Sequence, residues 1–207
     1  MRVLNIVASP RGERSASILI ADAFLEELWT THPDVEVDTL DVWAEDLPEF
    51  DRAASTAKFK ATRDADLEPG EAQVWKRITD LAARFARADR IVIGVPMWNW
   101  AYPYKLKQLI DLVTQRDLLF TVQGDTIGPG IDVPLGLALL VRGQAYPEWG
   151  GRPSAEFDHQ SSYIEFWLRL IGVHEVRTLV VEHTWDDLRD AALEYGRAQA
   201  RAMAASF

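Results

Sequence analysis

The sequence predicts an α/β fold in which helices cover both faces of a parallel sheet. Five short apolar segments, each too short for a helix, are spaced along the chain, and segments with helical periodicity lie between them. Strands that alternate with helices are joined by right-handed crossovers, which makes neighbouring strands parallel. No Pro/Gly/Ser-rich linker interrupts the 207 residues, of which 48% are hydrophobic. We therefore expect a single domain over residues 1–207.

The first third of the chain supplies two of these strands. Residues 3–8 form a continuous apolar run with β-branched side chains, as expected for a strand buried on both faces. Apolar residues at helical spacing predict a helix over residues 17–30. Residues 35–42 alternate apolar and polar side chains, like a half-exposed strand. Residues 44–69 are polar with scattered apolar side chains, and we expect them to be irregular.

The rest of the chain continues the alternation. The strand at residues 90–97 is more apolar than the preceding two, so we expect it near the centre of the sheet. The remaining predicted elements are a helix marked by residues 74–85, a helix marked by residues 106–113, a strand at 135–143, a helix marked by residues 164–171, a strand at 175–182 and a closing helix marked by residues 188–202.

Five parallel strands followed by a terminal helix fit the flavodoxin-like strand order 2-1-3-4-5. In that order the topological switch lies between the first and third strands. Ligands of such sheets bind outside the carboxyl ends of the strands at the switch. The loops that follow the first, third and fourth strands are therefore the first places to look for a ligand site.

The absence of cysteine and the acidic composition exclude several function classes. Without cysteine there is no disulfide, no thiolate nucleophile and no cysteine-ligated cluster, so redox chemistry would require a bound organic cofactor. The formal net charge of −10, from 22 basic and 32 acidic residues, repels nucleic acid and acidic membranes at long range. An anionic ligand must therefore be held by local donors.

The sequence shows no membrane or export signal. No apolar run approaches the roughly 18 residues that a membrane span requires. Residues 1–13 lack the long apolar region of a signal peptide. The expected location is the cytoplasm.

The first strand-end loop, "SPRGERSAS" at residues 9–17, has the composition of an anion site. Ser9, Ser15 and Ser17 offer hydroxyl groups, and the free N–H groups of the following helix point the same way, which suits a phosphate monoester. The spacing of glycine and serine in this loop matches neither the phosphate-binding loop of nucleoside triphosphatases nor the glycine-rich fingerprint of dinucleotide-binding proteins. An ordinary capped helix start with solvated arginines is the alternative.

The second and third loops are aromatic. In "PMWNWAYP" at residues 96–103, two tryptophans, a tyrosine and an asparagine follow a buried strand and make a wall suited to a flat heteroaromatic ring. Aromatic packing under the next helix, or in a subunit interface, is the alternative. In "VRGQAYPEWGG" at residues 141–151, Gly143 permits close backbone approach, and Gln144, Tyr146 and Trp149 can line a pocket.

Estimates of the binding free energy favour one ligand that has a phosphate at one end and a ring system at the other. A phosphate at a helix N-terminus gains roughly 0.3–1 kcal/mol per interaction, or up to about 2 kcal/mol when partly buried. Micromolar binding requires about 8 kcal/mol. Burying about 200 Å² of aromatic surface adds on the order of 5 kcal/mol. FMN fits these requirements best.

Three motifs carry a resemblance to a known family: "SPRGERSAS", "PMWNWAYPYKLKQLIDLVTQ" at residues 96–115 and "FDHQSSYIEFWLRLIGVHEV" at residues 157–176. The chain resembles the FMN-dependent NADH-azoreductases, which belong with the flavodoxin-like NAD(P)H:quinone reductases. The resemblance implies transfer of two electrons from NADH or NADPH, through N5 of bound FMN, to quinones or aromatic azo compounds, and we predict that this transfer follows a ping-pong cycle. It also implies a homodimer with active sites at the interface.

The resemblance further implies which residues bind the cofactor. The serines of the first loop would hold the phosphate, and the second and third loops would line the flavin ring. Val141 and Gln144 depart from the Ser/Ala-Arg-Gly-Gly pattern that is usual in the family. Tyr146 is a candidate for the substrate pocket, and no metal site is implied. The implied FMN-binding positions are Ser9, Ser15, Ala16, Ser17, Pro96, Met97, Trp98, Asn99, Trp100, Val141, Arg142, Gly143 and Gln144.

Two alternatives to the enzyme stay open at this point. One is a flavodoxin-type electron carrier, which binds FMN without oxidising NAD(P)H directly. Flavodoxins have a different Ser/Thr-rich phosphate loop and lack the "DHQ" segment at residues 158–160, which favours the enzyme. The other is a flavin-free binding or sensor module built on the same sheet, which would stay colourless after incubation with FMN.

Overall fold

The structure, a computed structural model, describes residues 1–207 and places five parallel strands in one sheet. The strands are β1 (Arg2–Val7), β2 (Glu36–Asp41), β3 (Arg90–Pro96), β4 (Phe120–Gln123), β5 (Thr126–Pro129), β6 (Val133–Val141), β7 (Glu148–Trp149), β8 (Arg152–Pro153) and β9 (Val173–Val181). The helices are α1 (Ala16–Thr31), α2 (Arg52–Ala61), α3 (Pro69–Ala86), α4 (Tyr104–Val113), α5 (Ser161–Ile171) and α6 (Arg189–Ala204).

The strands of the central sheet follow the order β2-β1-β3-β6-β9, and every neighbouring pair is parallel. Along the chain, β6 and β9 are the fourth and fifth strands of this sheet. The predicted order 2-1-3-4-5 is therefore confirmed. Strand β3, which the sequence predicted near the centre because it is more apolar than the two strands before it, lies at the centre, and both of its faces are buried under helices.

Two hydrophobic cores lie on opposite faces of this sheet. Along β3, Ile91 and Ile93 belong to a core of 29 buried residues, whereas Val92 between them belongs to a core of 18. This split follows from the alternation of side chains along a strand. Helices α3, α4 and α5 cover the larger core, and α1 and α6 cover the smaller one. Helices therefore lie on both faces, as predicted.

The segment at residues 44–69, expected to be irregular, contains helix α2. Asp51 caps this helix, because its Oδ1 accepts a hydrogen bond from the Ala54 N–H at 3.0 Å. Only Ala54 and Ala57 of the helix are buried. The expectation was wrong because alanine at the contact positions produces little of the apolar periodicity that marks a helix in a sequence.

The sequence also predicted neither of two antiparallel hairpins. Strands β4 and β5 pair between α4 and β6, and the two-residue strands β7 and β8 pair within the loop after β6. Strands of two to four residues are too short to show a period of two. The second hairpin lies in the third of the loops that were assigned to the ligand site.

The loops after β1, β3, β6 and β9 leave the same edge of the sheet, because the carboxyl ends of parallel strands lie together. Strands β1 and β3 are neighbours although β2 and two helices come between them after α1. The switch in winding direction therefore lies where the sequence predicted it. No helix of the chain combines the length and the apolar composition that crossing a bilayer requires.

Candidate cofactor-binding site

A cleft lies at this edge of the sheet, between the loops after β1, β3, β6 and β9. It encloses about 150 Å³, and its mouth is open to solvent. Its lining consists of Ser9, Arg11, Ser15, Ala16, Pro96, Met97, Trp98, Val141, Gly143, Tyr146, Thr184 and Trp185. All of these except Arg11, Thr184 and Trp185 are positions that the sequence assigned to the site. The assigned residues that do not line the cleft are Ser17, Asn99, Trp100, Arg142 and Gln144.

The loop after β1 forms the end of the cleft that is rich in hydrogen-bond donors. Ser9, Ser15 and Ser17 are at most 3% exposed, and the hydroxyl oxygens of Ser15 and Ser17 lie 3.1 Å apart. Helix α1 starts here without a side-chain cap, and its first hydrogen bond runs from the Leu19 N–H to the Ser15 carbonyl. The N–H groups that precede Leu19 have no partner in the helix. Buried hydroxyls beside free helix N–H groups fit the phosphate of FMN.

The loop after β3 forms an apolar wall on the other side. The ring centroids of Trp98 and Trp43 lie 5.9 Å apart, and the Trp43 indole N–H donates to the Ala8 carbonyl at 3.0 Å. Trp43 thereby connects this wall to the end of β1. The Met97 N–H donates to the Val141 carbonyl at 2.8 Å, which keeps Met97 in register with β6. The wall is an apolar surface that fits one face of an isoalloxazine ring.

Asn99 and Trp100 form a tight turn at the rim of the cleft. Their φ angles are 49° and 62°, in the left-handed region that is costly for a tryptophan. Two backbone hydrogen bonds between Trp98 and Ala101, at 2.9 and 3.2 Å, close the turn. Trp100 is 44% exposed, and its ring meets that of Tyr146 edge-on at 6.4 Å. The turn therefore places an aromatic pair beside the mouth.

Arg142 points into a buried polar network behind the cleft. Its Nη2 donates to Asp158 Oδ2 at 2.5 Å and its Nε donates to Gln160 Oε1 at 3.2 Å. A longer bond of 3.5 Å runs from Nη1 to Glu182 Oε1. Gln160 is fully buried and donates from Nε2 to the Val95 carbonyl at 3.0 Å. The network joins the ends of β3, β6 and β9, so Arg142 supports the loops around the cleft.

Asp158 keeps its negative charge inside this network. Burial alone raises the pKa of its carboxyl group, but hydrogen bonds from Ser161 and Arg142 outweigh burial and hold that pKa below the ordinary value of 3.8. The carboxylate also accepts the N–H groups of Gln160 and Ser161 at 3.1 and 2.9 Å, which satisfies the start of α5. Arg142 therefore faces a charged partner at neutral pH.

A wider groove of about 640 Å³ lies between α1 and α6 and is a weaker candidate. Its lining consists of Leu19, Arg189, Asp190, Leu193, Glu194, Arg197, Ala198 and Arg201. It contains no aromatic side chain and no strand-end loop. The smaller cleft is the only one of the two that combines converging hydrogen-bond donors with an apolar wall, so it is the better site for a cofactor.

Comparisons with known proteins bear on the whole chain. The family model of the flavodoxin-like fold, Flavodoxin_2, matches residues 1–204. FMN-dependent NADH:quinone oxidoreductase 2 of Burkholderia lata is 53% identical over 207 residues, which are 100% of both proteins. A protein of the same name from Pseudomonas syringae pv. tomato is 38% identical over 202 residues, which cover 98% of this chain and 96% of that protein.

The chain belongs to the family of FMN-dependent NADH:quinone oxidoreductases. An azoreductase from Bacillus anthracis superposes with a TM-score of 0.90 at 27% identity, and the match covers 100% of both chains. An FMN-dependent NADH-azoreductase from the same species, solved in complex with FMN, superposes with a TM-score of 0.87 at 19% identity over 99% of this chain and 98% of that one. The latter likeness shows the fold alone. The family resemblance stated from the sequence is confirmed.

Three residues of this oxidoreductase's cleft were missed by sequence reasoning. Thr184 and Trp185 follow β9, and Arg11 lies in the first loop without having been assigned to the ligand. Thr184 donates from its N–H and its hydroxyl to the Arg142 carbonyl, at 3.0 and 2.8 Å. The signal was available, since the segment "HTWDD" at residues 183–187 follows an apolar strand just as the other three loops do.

Proposed function

We propose that this family member is an FMN-dependent oxidoreductase that transfers two electrons from NADH to quinones and aromatic azo compounds. The observation that carries the proposal is the meeting of two unlike surfaces in one cleft. One consists of buried serine hydroxyls beside the free N–H groups of α1, and the other is the wall formed by Met97 and Trp98. The names of the relatives, NADH:quinone oxidoreductase and azoreductase, supply the substrate classes.

The residues of the chain bind and orient the reactants. Ser9, Ser15 and the N–H groups at the start of α1 would hold the FMN phosphate, and Met97 and Trp98 would cover the ring. When bound, FMN supplies the redox chemistry by accepting two electrons from NADH and passing them on through N5. Tyr146 shapes the acceptor side of the pocket. An apolar wall excludes water from the reacting atoms and strengthens the polar contacts around them.

We infer that donor and acceptor occupy the same place in turn, in a ping-pong cycle. The cleft encloses only about 150 Å³, and Trp100 packs against Tyr146 of its lining. A flat nicotinamide must then leave before a flat acceptor enters. Initial rates measured at several fixed quinone concentrations are expected to give parallel double-reciprocal lines against NADH. Lines that converge would contradict the ping-pong cycle.

We further propose that the chain is one FMN-binding domain over residues 1–207 that works as a homodimer with its active sites at the interface. The open mouth supports this arrangement, because a single chain leaves part of a flavin-sized ligand uncovered. The exposed rings of Trp100 and Tyr104 beside the cleft support it as well, since they lack a covering surface.

The cytoplasmic location also stays a prediction.

Flavin titration and NADH oxidation test the proposed function together. Full-length protein freed of flavin is expected to bind FMN with an absorbance change and then to oxidise NADH in the presence of benzoquinone, with NADPH measured in parallel. Ser15→Ala is expected to raise the Kd for FMN about tenfold, because it removes a hydrogen bond to a charged group. Ser55→Ala, whose hydroxyl lies on α2 outside the cleft, is the control and is expected to change nothing.

Each negative result points to a different alternative. Protein that binds FMN but does not oxidise either nicotinamide would be an electron carrier. Protein that binds no FMN would be a flavin-free module. Equal Kd values for the Ser15 and Ser55 variants would contradict the assignment of the phosphate to the first loop.

A further inference from the structure

Arg11 and Trp185 meet above the cleft although they follow distant strands of the sheet. Arg11 follows β1, Trp185 follows β9, and β3 and β6 lie between these strands. Three strand spacings of about 4.8 Å put the ends of β1 and β9 about 14 Å apart. The Cζ atom of Arg11 nevertheless lies 5.5 Å from the centroid of the Trp185 ring. Because both residues line the cleft, this pair bridges its mouth.

The positive charge of Arg11 is not neutralised within the chain. The protein has 32 acidic residues, yet none of its ion pairs includes Arg11. The Arg11 N–H donates to Ser9 Oγ at 3.4 Å, which places the residue beside the buried serines. In a protein of net charge −10, a free guanidinium at this position is a local counter-charge for an anion.

The backbone holds Trp185 in place while its side chain stays in solvent. Trp185 is 74% exposed. Its N–H donates to the Gly143 carbonyl at 3.0 Å, and the preceding Thr184 donates twice to the Arg142 carbonyl. His183 takes a left-handed φ of 60°, which lets the chain turn sharply at the end of β9. A large ring on a fixed turn at the mouth of a cleft is a platform for a partner group.

We propose that Arg11 and Trp185 form a clasp that retains the phosphate of the bound flavin. Arg11 supplies the charge, and Trp185 holds its guanidinium over the mouth by a cation–π contact. The inference rests on the proposed function, because it takes FMN as the ligand of the cleft. It adds a charged contact to the hydroxyl and N–H groups of the first loop.

Titration of the flavin-free full-length protein with FMN and with riboflavin, followed by flavin fluorescence, tests the clasp. Arg11→Gln is expected to raise the Kd for FMN about tenfold and to leave the Kd for riboflavin unchanged, since riboflavin lacks the phosphate. Arg14→Gln is the matched control, because Arg14 is an exposed arginine of the same loop that neither lines the cleft nor forms an ion pair. It is expected to bind both flavins as the wild type does.

Variants of Trp185 test the second half of the clasp. Trp185→Ala is expected to raise the Kd for FMN about threefold, whereas Trp185→Phe, which keeps an aromatic face, is expected to retain most of the affinity. The double variant with Arg11→Gln is expected to bind FMN no more weakly than Arg11→Gln alone, because Trp185 acts through Arg11.

Two results would overturn the clasp. One is an equal Kd for FMN in the Arg11 and Arg14 variants, and the other is a loss of riboflavin affinity as large as the loss for FMN. Wild-type protein that binds neither flavin would contradict the proposed function itself. If the wild type binds FMN and every variant has the same Kd for FMN as the wild type, the clasp is contradicted and the proposed function is not.

Discussion

At the scale of single residues, the direction in which a side chain points decides whether it lines the cleft or stabilises the loops from behind. Val141 and Gly143 line the cleft, whereas Arg142 between them is 7% exposed and pairs with Asp158 behind it. Successive side chains at the end of a strand point to opposite sides. A motif that runs through three consecutive positions therefore mixes residues that line the cleft with a residue that lies behind it.

Removal of the Arg142 charge is expected to destabilise the fold. Arg142→Met leaves the Asp158 carboxylate half-buried without its cation, and we expect the free energy of unfolding to fall by about 3 kcal/mol in urea denaturation. Arg169→Met is the control, because Arg169 forms an exposed pair with Glu165 whose loss costs less than about 0.5 kcal/mol. Similar small losses in both variants would show that the network does not support the loops.

The low pKa of Asp158 predicts a dependence of stability on pH. A carboxyl group whose pKa is lower in the folded state stabilises the fold fully above its ordinary value of 3.8, and the contribution is lost as pH falls through the folded pKa. As the pH is lowered from about 5 to about 2, urea midpoints are expected to fall more steeply for the wild type than for Asp158→Asn. Parallel curves for the two proteins would contradict this assignment.

At the scale of elements, the end of α5 is set by a glycine. Gly172 has a φ of 119°, and a Cβ atom at this position would lie 1.9 Å from the Ile131 carbonyl oxygen. Backbone groups on both sides are held by hydrogen bonds, from the Ile131 N–H to Ile171 and from the Val133 N–H to Gly172. The close approach joins α5 to the start of β6, and no larger residue fits there.

Two glycine substitutions are expected to have opposite effects on stability. Gly172→Ala is expected to lower the free energy of unfolding by at least about 2 kcal/mol, because backbone must move to admit the methyl group. Gly70→Ala, in the first turn of α3 with no atom within 4 Å of the new methyl group, is expected to raise it by up to about 0.5 kcal/mol. Thermal denaturation of both variants measures the difference, and a stable Gly172 variant would contradict the packing.

At the scale of the whole molecule, the open cleft predicts self-association. Several large rings are exposed, among them Tyr104 at 64% and Phe166 at 56%. Sedimentation velocity at micromolar concentration is expected to show a species of twice the chain mass of 23.4 kDa. A species of 23.4 kDa that binds FMN and oxidises NADH at full rate would contradict the dimer and the interface sites.

The sequence alone was sufficient for the sheet and for most of the cleft lining. Apolar runs and helical periodicity are local signals, and the rule that parallel strands end at one edge converts them into a site. Ser9, Ser15, Met97 and Trp98 could be placed there without coordinates. Helix α2 could not be predicted, since its buried face consists of alanines.

Only the tertiary structure decided which assigned residues face the cleft and which lie behind it. The burial of Arg142 against Asp158, and the approach of Trp185 to Arg11, join residues 16 and 174 positions apart. Such contacts depend on the order of strands in the sheet and on the path of each loop. Neither property produces a periodic pattern of apolar residues in the sequence. Local pattern therefore determined the fold and the place of the cleft, and long-range packing determined which of the assigned side chains line it.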